Sequence, residues 1–186
     1  SLDLDKEAFN QIQELQLLTQ RPVLYLANVA EDDIEQGNQY VDQLKESIQD
    51  EEAELMTICA KIESEIAEME SEEERKEYLG IYGLEEPGVN ILIHKAYSLL
   101  DLITFFTAGK KEVKAWPLKK GLTAPQAAGQ IHSDFQRGFI KAEVISYEDY
   151  VHYGSETTVK EAGKMRMEGK SYIVKDGDVI HFKFNV

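Results

Sequence analysis

Gly121–Ser146, GLTAPQAAGQIHSDFQRGFIKAEVIS, is the stretch that decides the fold. It reads as a tight turn, a short helix, a second turn and a strand. Pro125 suits the first turn of a helix, where a missing N–H costs nothing. Ala127, Ala128 and Ile131 then share one helical face. Gly138 permits the turn out, and Phe139 to Ile145 runs in β-prone residues. Upstream, LITFFTAG (102–109) and EVKAWPL (112–118) are strand-like. Downstream, YIVKDGDVIHFKFNV (172–186) predicts two strands across Asp176-Gly177.

A strand pair, one helix laid across it and further strands is the β-grasp, ubiquitin-like plan. The 186 residues allow one or two domains. No run of about eighteen apolar residues occurs, so no membrane-spanning helix is expected. The opening SLDLDKEAFNQ is polar and acidic, unlike a signal or transit peptide. Cys59 is the only cysteine, which excludes an internal disulfide and fits a reducing cytoplasm. The net charge of −15 is unevenly spread: residues 1–100 carry 24 Asp/Glu against 7 Lys/Arg, and residues 101–186 carry 11 against 13. The first half repels phosphate backbones and the second does not, so if the protein touches RNA the second half is the better candidate.

The spacing of Phe9, Ile12, Leu15 and Leu18 predicts a helix over 6–18. PVLYLANV (22–29) reads as a strand covered on both faces, because Val23 to Ala27 is apolar without alternation. A helix is expected over Asn38–Gln49, with Tyr40, Val41, Leu44 and Ile48 on one stripe, and a second strand over LMTICA (55–60). Strand, helix, strand predicts a parallel βαβ unit. Ile62 to Gly80 reads as one long acidic helical region with a solvated charged face, Ser71 to Glu74 at capping-box spacing and Gly80 as a stop. Pro87 opens another helix to about Leu100, its apolar face Val89, Leu92, Ile93, Ala96, Tyr97 and Leu100, expected to pack where two modules meet. The domain reading is 1–101 and 102–186. An isolated parallel pair leaves faces and edges uncovered, so either further strands upstream or cover from a partner is expected.

Asn28-Val29-Ala30-Glu31 ends the first strand, the edge where open α/β sheets bind ligands. P-loop GTPases carry Asn-Lys-x-Asp there, the Asp accepting from guanine N1–H and its exocyclic amine. Adenine offers an acceptor at N1 and a donor at N6, and a Glu is one carbon too long for the guanine fit. Cys59-Ala60-Lys61 stands where the same proteins carry Ser-Ala-Lys. The competing reading is that these residues only terminate strands. Lys110, Lys111, Lys114, Lys119 and Lys120 flank the first hairpin around Trp116, with Arg137 and Lys141 beyond. Basic residues around an aromatic suit a phosphate backbone and a stacked base; the alternative is a lysine-protected sheet edge with Trp116 in the core. His132 reads as a helix-terminal or packed histidine, and Cys59 as a small buried residue. Phe105, Phe106, Phe135 and Phe139 read as core. His94, His152 and His181 show no metal-ligand spacing with Cys59, and no Ser/His/Asp set is present.

RPVLYLANVAED, CAKIESEIAEM, GLEEPGVNILIHKAY, the run from Leu99 to Tyr150 and the ending EAGKMRMEGKSYIVKDGDVIHFKFNV resemble the YchF family of Obg-like ATPases. The resemblance implies an α/β part followed by an α+β part. Residues 1 to about 85 would be the last part of a P-loop G domain, and about 102–186 a β-grasp TGS domain. It implies ATP (or GTP) and Mg²⁺ in a full-length parent that hydrolyses nucleotide, with Asn28, Val29, Glu31, Cys59, Ala60 and Lys61 facing the base. It implies a ribosome or ribosomal RNA partner in the cytoplasm, reached through the TGS domain. A ubiquitin-like protein-interaction module without nucleic-acid binding is the alternative. Its exposed sheet edge is expected to favour self-association, and no membrane partner is expected. One departure matters: the sequence has no G-x-x-x-x-G-K-[ST], so no backbone nest, Lys or Ser/Thr holds phosphate and Mg²⁺. No nucleotide is expected bound to this chain alone. The expected outcome of a turnover assay on the purified chain is ATP hydrolysis at background; activity above background contradicts this reading.

Overall fold

The computed structural model describes residues 15, 17–51, 53–109 and 112–185. Most of the helix expected over 6–18 lies outside the described residues, as do Lys110 and Lys111; Leu18–Gln20 is a 3₁₀ turn. The chain divides into two compact units, one ending at Leu99 and the next starting at Leu100.

In the first unit, β1 (Val23–Asn28) and β2 (Ala53–Ile58) form a two-stranded parallel sheet, paired from Val23↔Ala53 to Asn28↔Ile58. The crossover is α1 (Gln39–Ser47), whose N-cap Asn38 accepts from the Tyr40 and Val41 amides through Oδ1. Contrary to the sequence reading, β1 is not covered on both faces: Val23 is 40% and Leu26 46% exposed. Tyr40 is also outside the packed stripe of α1, at 69% exposure, while Val41 is buried. The region expected as one long helix is two, α2 (Ala60–Glu68) and α3 (Glu72–Ile81). Ser71 caps α3 by accepting from the Glu74 amide, so its own backbone is extended and interrupts the run. Arg75 closes the gap by donating to the Met69 carbonyl. Gly80 lies inside α3 rather than stopping it, and Gly83 supplies the left-handed residue beyond. α4 (Gly88–Leu99) packs on β1 and β2, with Lys95 Nζ 2.8 Å from Glu54 Oε2. Val89 and Ile93 of its expected apolar face are exposed.

The second unit is a mixed five-stranded sheet in the order β4-β3-β7-β5-β6. β3 (Leu102–Ala108) and β4 (Val113–Lys119) form an antiparallel hairpin, and β7 (Asp178–Phe184) runs parallel to β3 and antiparallel to β5 (Phe139–Ser146). α5 (Ala124–Ile131) crosses one face, its fully buried Ala124, Ala127 and Ala128 packed with Phe105, Leu118, Val144, Ile180 and Phe182. Small side chains let the helix approach the sheet closely. What was expected as a second turn holds α6 (Ser133–Arg137), N-capped by His132, whose Nδ1 accepts from the Asp134 amide. Gly138 has φ −89, so it is not there for a left-handed backbone. A Cβ would lie 2.2 Å from the Asn185 carbonyl oxygen, and close strand approach is what excludes a side chain.

α7 (Tyr147–Tyr153) and α8 (Glu156–Glu161) cover the opposite face, burying Val159 with Ile145 and Val179. The short β6 (Arg166–Glu168) pairs with β5. The first of the two strands expected at the end is only a single bridge, Thr123↔Ile173. Two long-range backbone bonds make that bridge: the Ala124 amide donates to the Tyr172 carbonyl and the Val174 amide to the Leu122 carbonyl.

Asp178 is 2% exposed and charged. It accepts from the Tyr172 hydroxyl at 2.7 Å, the Lys175 amide at 2.9 Å and Arg166 Nη2 at 3.2 Å, tying β6 and the last turn to β7. Burial, then the bond to Asp178, pushes the Tyr172 phenol up from 10.0 to about 12. A phenol with a raised folded-state pKa contributes stability that is complete below its unfolded value and is lost as pH rises through the folded value. Tyr172→Phe is expected to lower stability at pH 7 by roughly 1–3 kcal/mol. The gap from the native chain should narrow between pH 10 and about 12, measured by urea unfolding across that range.

Candidate nucleotide-base site and basic surface

In-register pairing of β1 and β2 brings the two strand ends together. The Val29 amide donates to the Ile58 carbonyl at 2.8 Å, one residue beyond the ladder. Asn28 Oδ1 accepts from the Ala60 amide at 2.9 Å. Ala60 is the first residue of α2, where an N–H has no partner within the helix. Cys59 occupies the N-cap position but makes no side-chain cap bond, so Asn28 caps the helix from the neighbouring strand. Cys59 itself is buried with Ile62, Ile66 and Leu79.

Glu31 opens a 3₁₀ turn, Glu31–Asp33. Its Oε2 lies 2.9 Å from Lys61 Nζ, and its Oε1 accepts from the Tyr82 hydroxyl at 3.3 Å. Tyr82 packs edge-to-face on Tyr78, whose hydroxyl bonds Glu65. The Lys61 hydrogen bond, and then its charge, hold the Glu31 carboxyl below the usual carboxylate range, against an opposing effect of burial. Burial, and then the Glu31 charge, push the Tyr82 phenol up. Asn28, Val29, Glu31, Cys59, Ala60 and Lys61 thus converge at one sheet end. Tyr82 and Tyr78 were missed, because they come from the end of α3 and the residue after it, some fifty positions along the chain, and no local pattern marks them. Glu63 is a second distant cap, accepting from the Gly88 and Val89 amides at the start of α4.

The described basic candidates do not share a face. Strand alternation puts Lys114 on the side of Trp116 and buried Leu118, and Lys119 on the opposite side. Lys119 Nζ donates to the Leu100 carbonyl, Lys120 lies in the turn after β4, and Arg137 pairs with Asp134. Lys141 sits on the α7–α8 side of β5, opposite Lys183 on β7. Trp116 is not open to a base: one ring face stacks on Phe105, Lys114 Nζ lies 3.9 Å from the ring centroid, and its N–H donates to Thr107. Glu143, Glu156 and His181 also gather on the α7–α8 side, where Lys183 Nζ lies 3.2 Å from Glu143. The sequence comes nearest to a P-loop at Gly163–Ser171, GKMRMEGKS, one residue too long; it folds as β6 and a turn with no helix after it.

Residues 102–185 match the family model YchF-GTPase_C, described as "Protein of unknown function (DUF933)". The whole chain is similar to "Ribosome-binding ATPase YchF" of Haemophilus influenzae, 53% identical over 186 residues, all of this chain and 51% of the relative. The protein of the same name from Bacillus subtilis is 52% identical over 188 residues, again 51% of its length. The chain therefore spans about half the length of the curated relatives it matches. Among solved structures, the Schizosaccharomyces pombe YchF GTPase superposes with a TM-score of 0.83 at 34% identity, covering 98% of this chain and 49% of that one. A GTP binding protein from Pyrococcus horikoshii shares the fold, with a TM-score of 0.58 at 18% identity over 88% of this chain and 46% of that one. Among the described residues no helix is long and apolar enough to cross a membrane.

Asn28→Ala removes the acceptor for Ala60 and is expected to cost roughly 0.5–1.5 kcal/mol, with Asn28→Asp retaining most of it. Urea unfolding of both variants checks this; equal losses would contradict the capping role.

Proposed function

We propose that this chain is the base-recognising and ribosome-facing portion of a YchF-type nucleotide-binding ATPase of the cytoplasm. The strand-end wall of Asn28, Val29, Glu31, Cys59, Ala60 and Lys61 faces the purine of ATP or GTP. Residues 102–186 form a TGS domain of β-grasp type that contacts the ribosome or its RNA. The observation that carries the reading is the end-to-end similarity to proteins named ribosome-binding ATPases.

Supporting it are the sheet order of the second unit, with one helix across a mixed sheet, and the meeting of both motif segments at the ends of parallel strands. The residues present fit the base and not the phosphates. Asn28 and the backbone around Ala60 offer directional polar groups, whereas no Gly-rich nest, Lys or Ser/Thr in the sequence stands ready for phosphate or Mg²⁺. Phosphate chemistry is therefore assigned to segments of the longer parent. This chain's share of the work is to orient the base and to place the complex on the ribosome.

Pelleting with ribosomes tests the second half of the reading. Binding that rests on four phosphate contacts weakens on the order of a hundredfold between about 50 and 200 mM salt. Replacing Lys114, Lys119, Lys120 and Lys141 together by Ala should flatten that slope. Binding that ignores salt and survives the replacement would favour a protein-interaction module instead.

A further inference from the structure

Glu143 of β5 and His181 of β7 are direct partners across the antiparallel pair, so their side chains stand together on the α7–α8 face of the sheet. Glu156, the first residue of α8, reaches the same place from the helix layer. One carboxylate oxygen of each glutamate and one imidazole nitrogen lie within 4.8 Å of one another. All three residues line one cavity together with Ile145, Val179 and Tyr150. The cluster already holds a cation of the chain's own. Lys183 Nζ lies 3.2 Å from Glu143 Oε2 and 3.4 Å from His181 Nε2. An ammonium only donates, so Nε2 carries the lone pair and not the proton, which is the form a metal ion needs. The Lys183 side chain is 39% exposed, so its pair with Glu143 is weak and the ammonium can swing into solvent.

We propose that Glu143, Glu156 and His181 form a binding site for a divalent transition ion, zinc fitting best, which displaces Lys183 and clamps α8 to the sheet. Two carboxylate oxygens and one imidazole nitrogen suit zinc, whereas magnesium favours oxygen alone. Ligand atoms around a tetrahedral zinc lie about 3.4 Å apart, and rotation of the two glutamate side chains closes the cluster to that size. Water takes the fourth position. The site lies within the second unit and does not depend on the base-binding reading.

The test is a titration of the isotopically labelled 186-residue chain with zinc chloride at neutral pH, followed by NMR of the histidine ring nitrogens, with magnesium chloride as the control. Zinc should shift Nε2 of His181 and leave His94, His132 and His152 in place; magnesium should move none of them. Glu143→Gln and Glu156→Gln should each weaken zinc binding at least roughly tenfold. Lys183→Met removes the competing ammonium and should tighten it roughly two- to fivefold. Because that change is a gain, a folding defect cannot mimic it. Zinc that moves other histidines instead, or that binds both glutamine variants as tightly as the native chain, is an adventitious ion only and overturns the proposal. Failure to take up zinc overturns it too, as does magnesium competing on equal terms. If the glutamine variants lose zinc but Lys183→Met gains nothing, the exchange with Lys183 is overturned while the site stands.

Discussion

The parallel, in-register pairing of β1 with β2 is the constraint on which the candidate site depends. It sets Asn28 opposite Ile58, so that the residues following each strand leave side by side. The first amide of α2 would otherwise have no partner, and the nearest side chain, Cys59, is a poor acceptor turned into the core. Asn28 satisfies that amide from across the sheet. One hydrogen bond thereby ties the end of one strand to the start of the helix that follows the other. Glu31 and Lys61, three and one residues further on, are brought within ion-pair distance as a consequence. A shift of register by one residue would reverse which face each side chain occupies and dissolve the arrangement.

In the second unit β7 plays the corresponding part. It lies between β3 and β5, parallel to one and antiparallel to the other, and both faces of the sheet are covered through it. Ile180 and Phe182 point to the alanine face of α5, and Val179 to α7 and α8. Asp178, at its start, is a buried charge that is tolerable because three donors meet it. Gly138 keeps the other end closed by letting the backbones of β5 and the residue after β7 touch, with the Asn185 amide donating to the Gly138 carbonyl.

How much of this the sequence discloses depends on the range of the interaction. Turn, helix, turn and strand around Pro125 could be read because Thr123, Pro125 and the alanines act within one turn of helix. The two motif segments could be placed at strand ends because apolar runs mark the strands. The split between α2 and α3 was present in the Ser71 cap, which cannot sit inside a helix it begins. α7 and α8 were not read, although Ser146 and Ser155 cap them in the same way. By contrast, the exposure of Val23, Leu26 and Tyr40 could not be read, because apolarity reports what a strand or helix could bury and not what lies against it. Nor could the roles of Tyr78, Tyr82 and Glu63, which arise only when distant helices meet. The lysines around Trp116 had the composition of a nucleic-acid surface, yet strand alternation divides Lys114 from Lys119 and the indole is already packed.

The most direct test of this account is the hydrogen-exchange rate of the single amide of Ala60. If Asn28 caps α2 across the sheet, that amide exchanges measurably more slowly than in an unstructured peptide, although it is the first of its helix. Exchange of Ala60 at the unstructured rate, while the Val29 amide and the interior of α2 stay protected, would contradict the bond that joins the two strand ends.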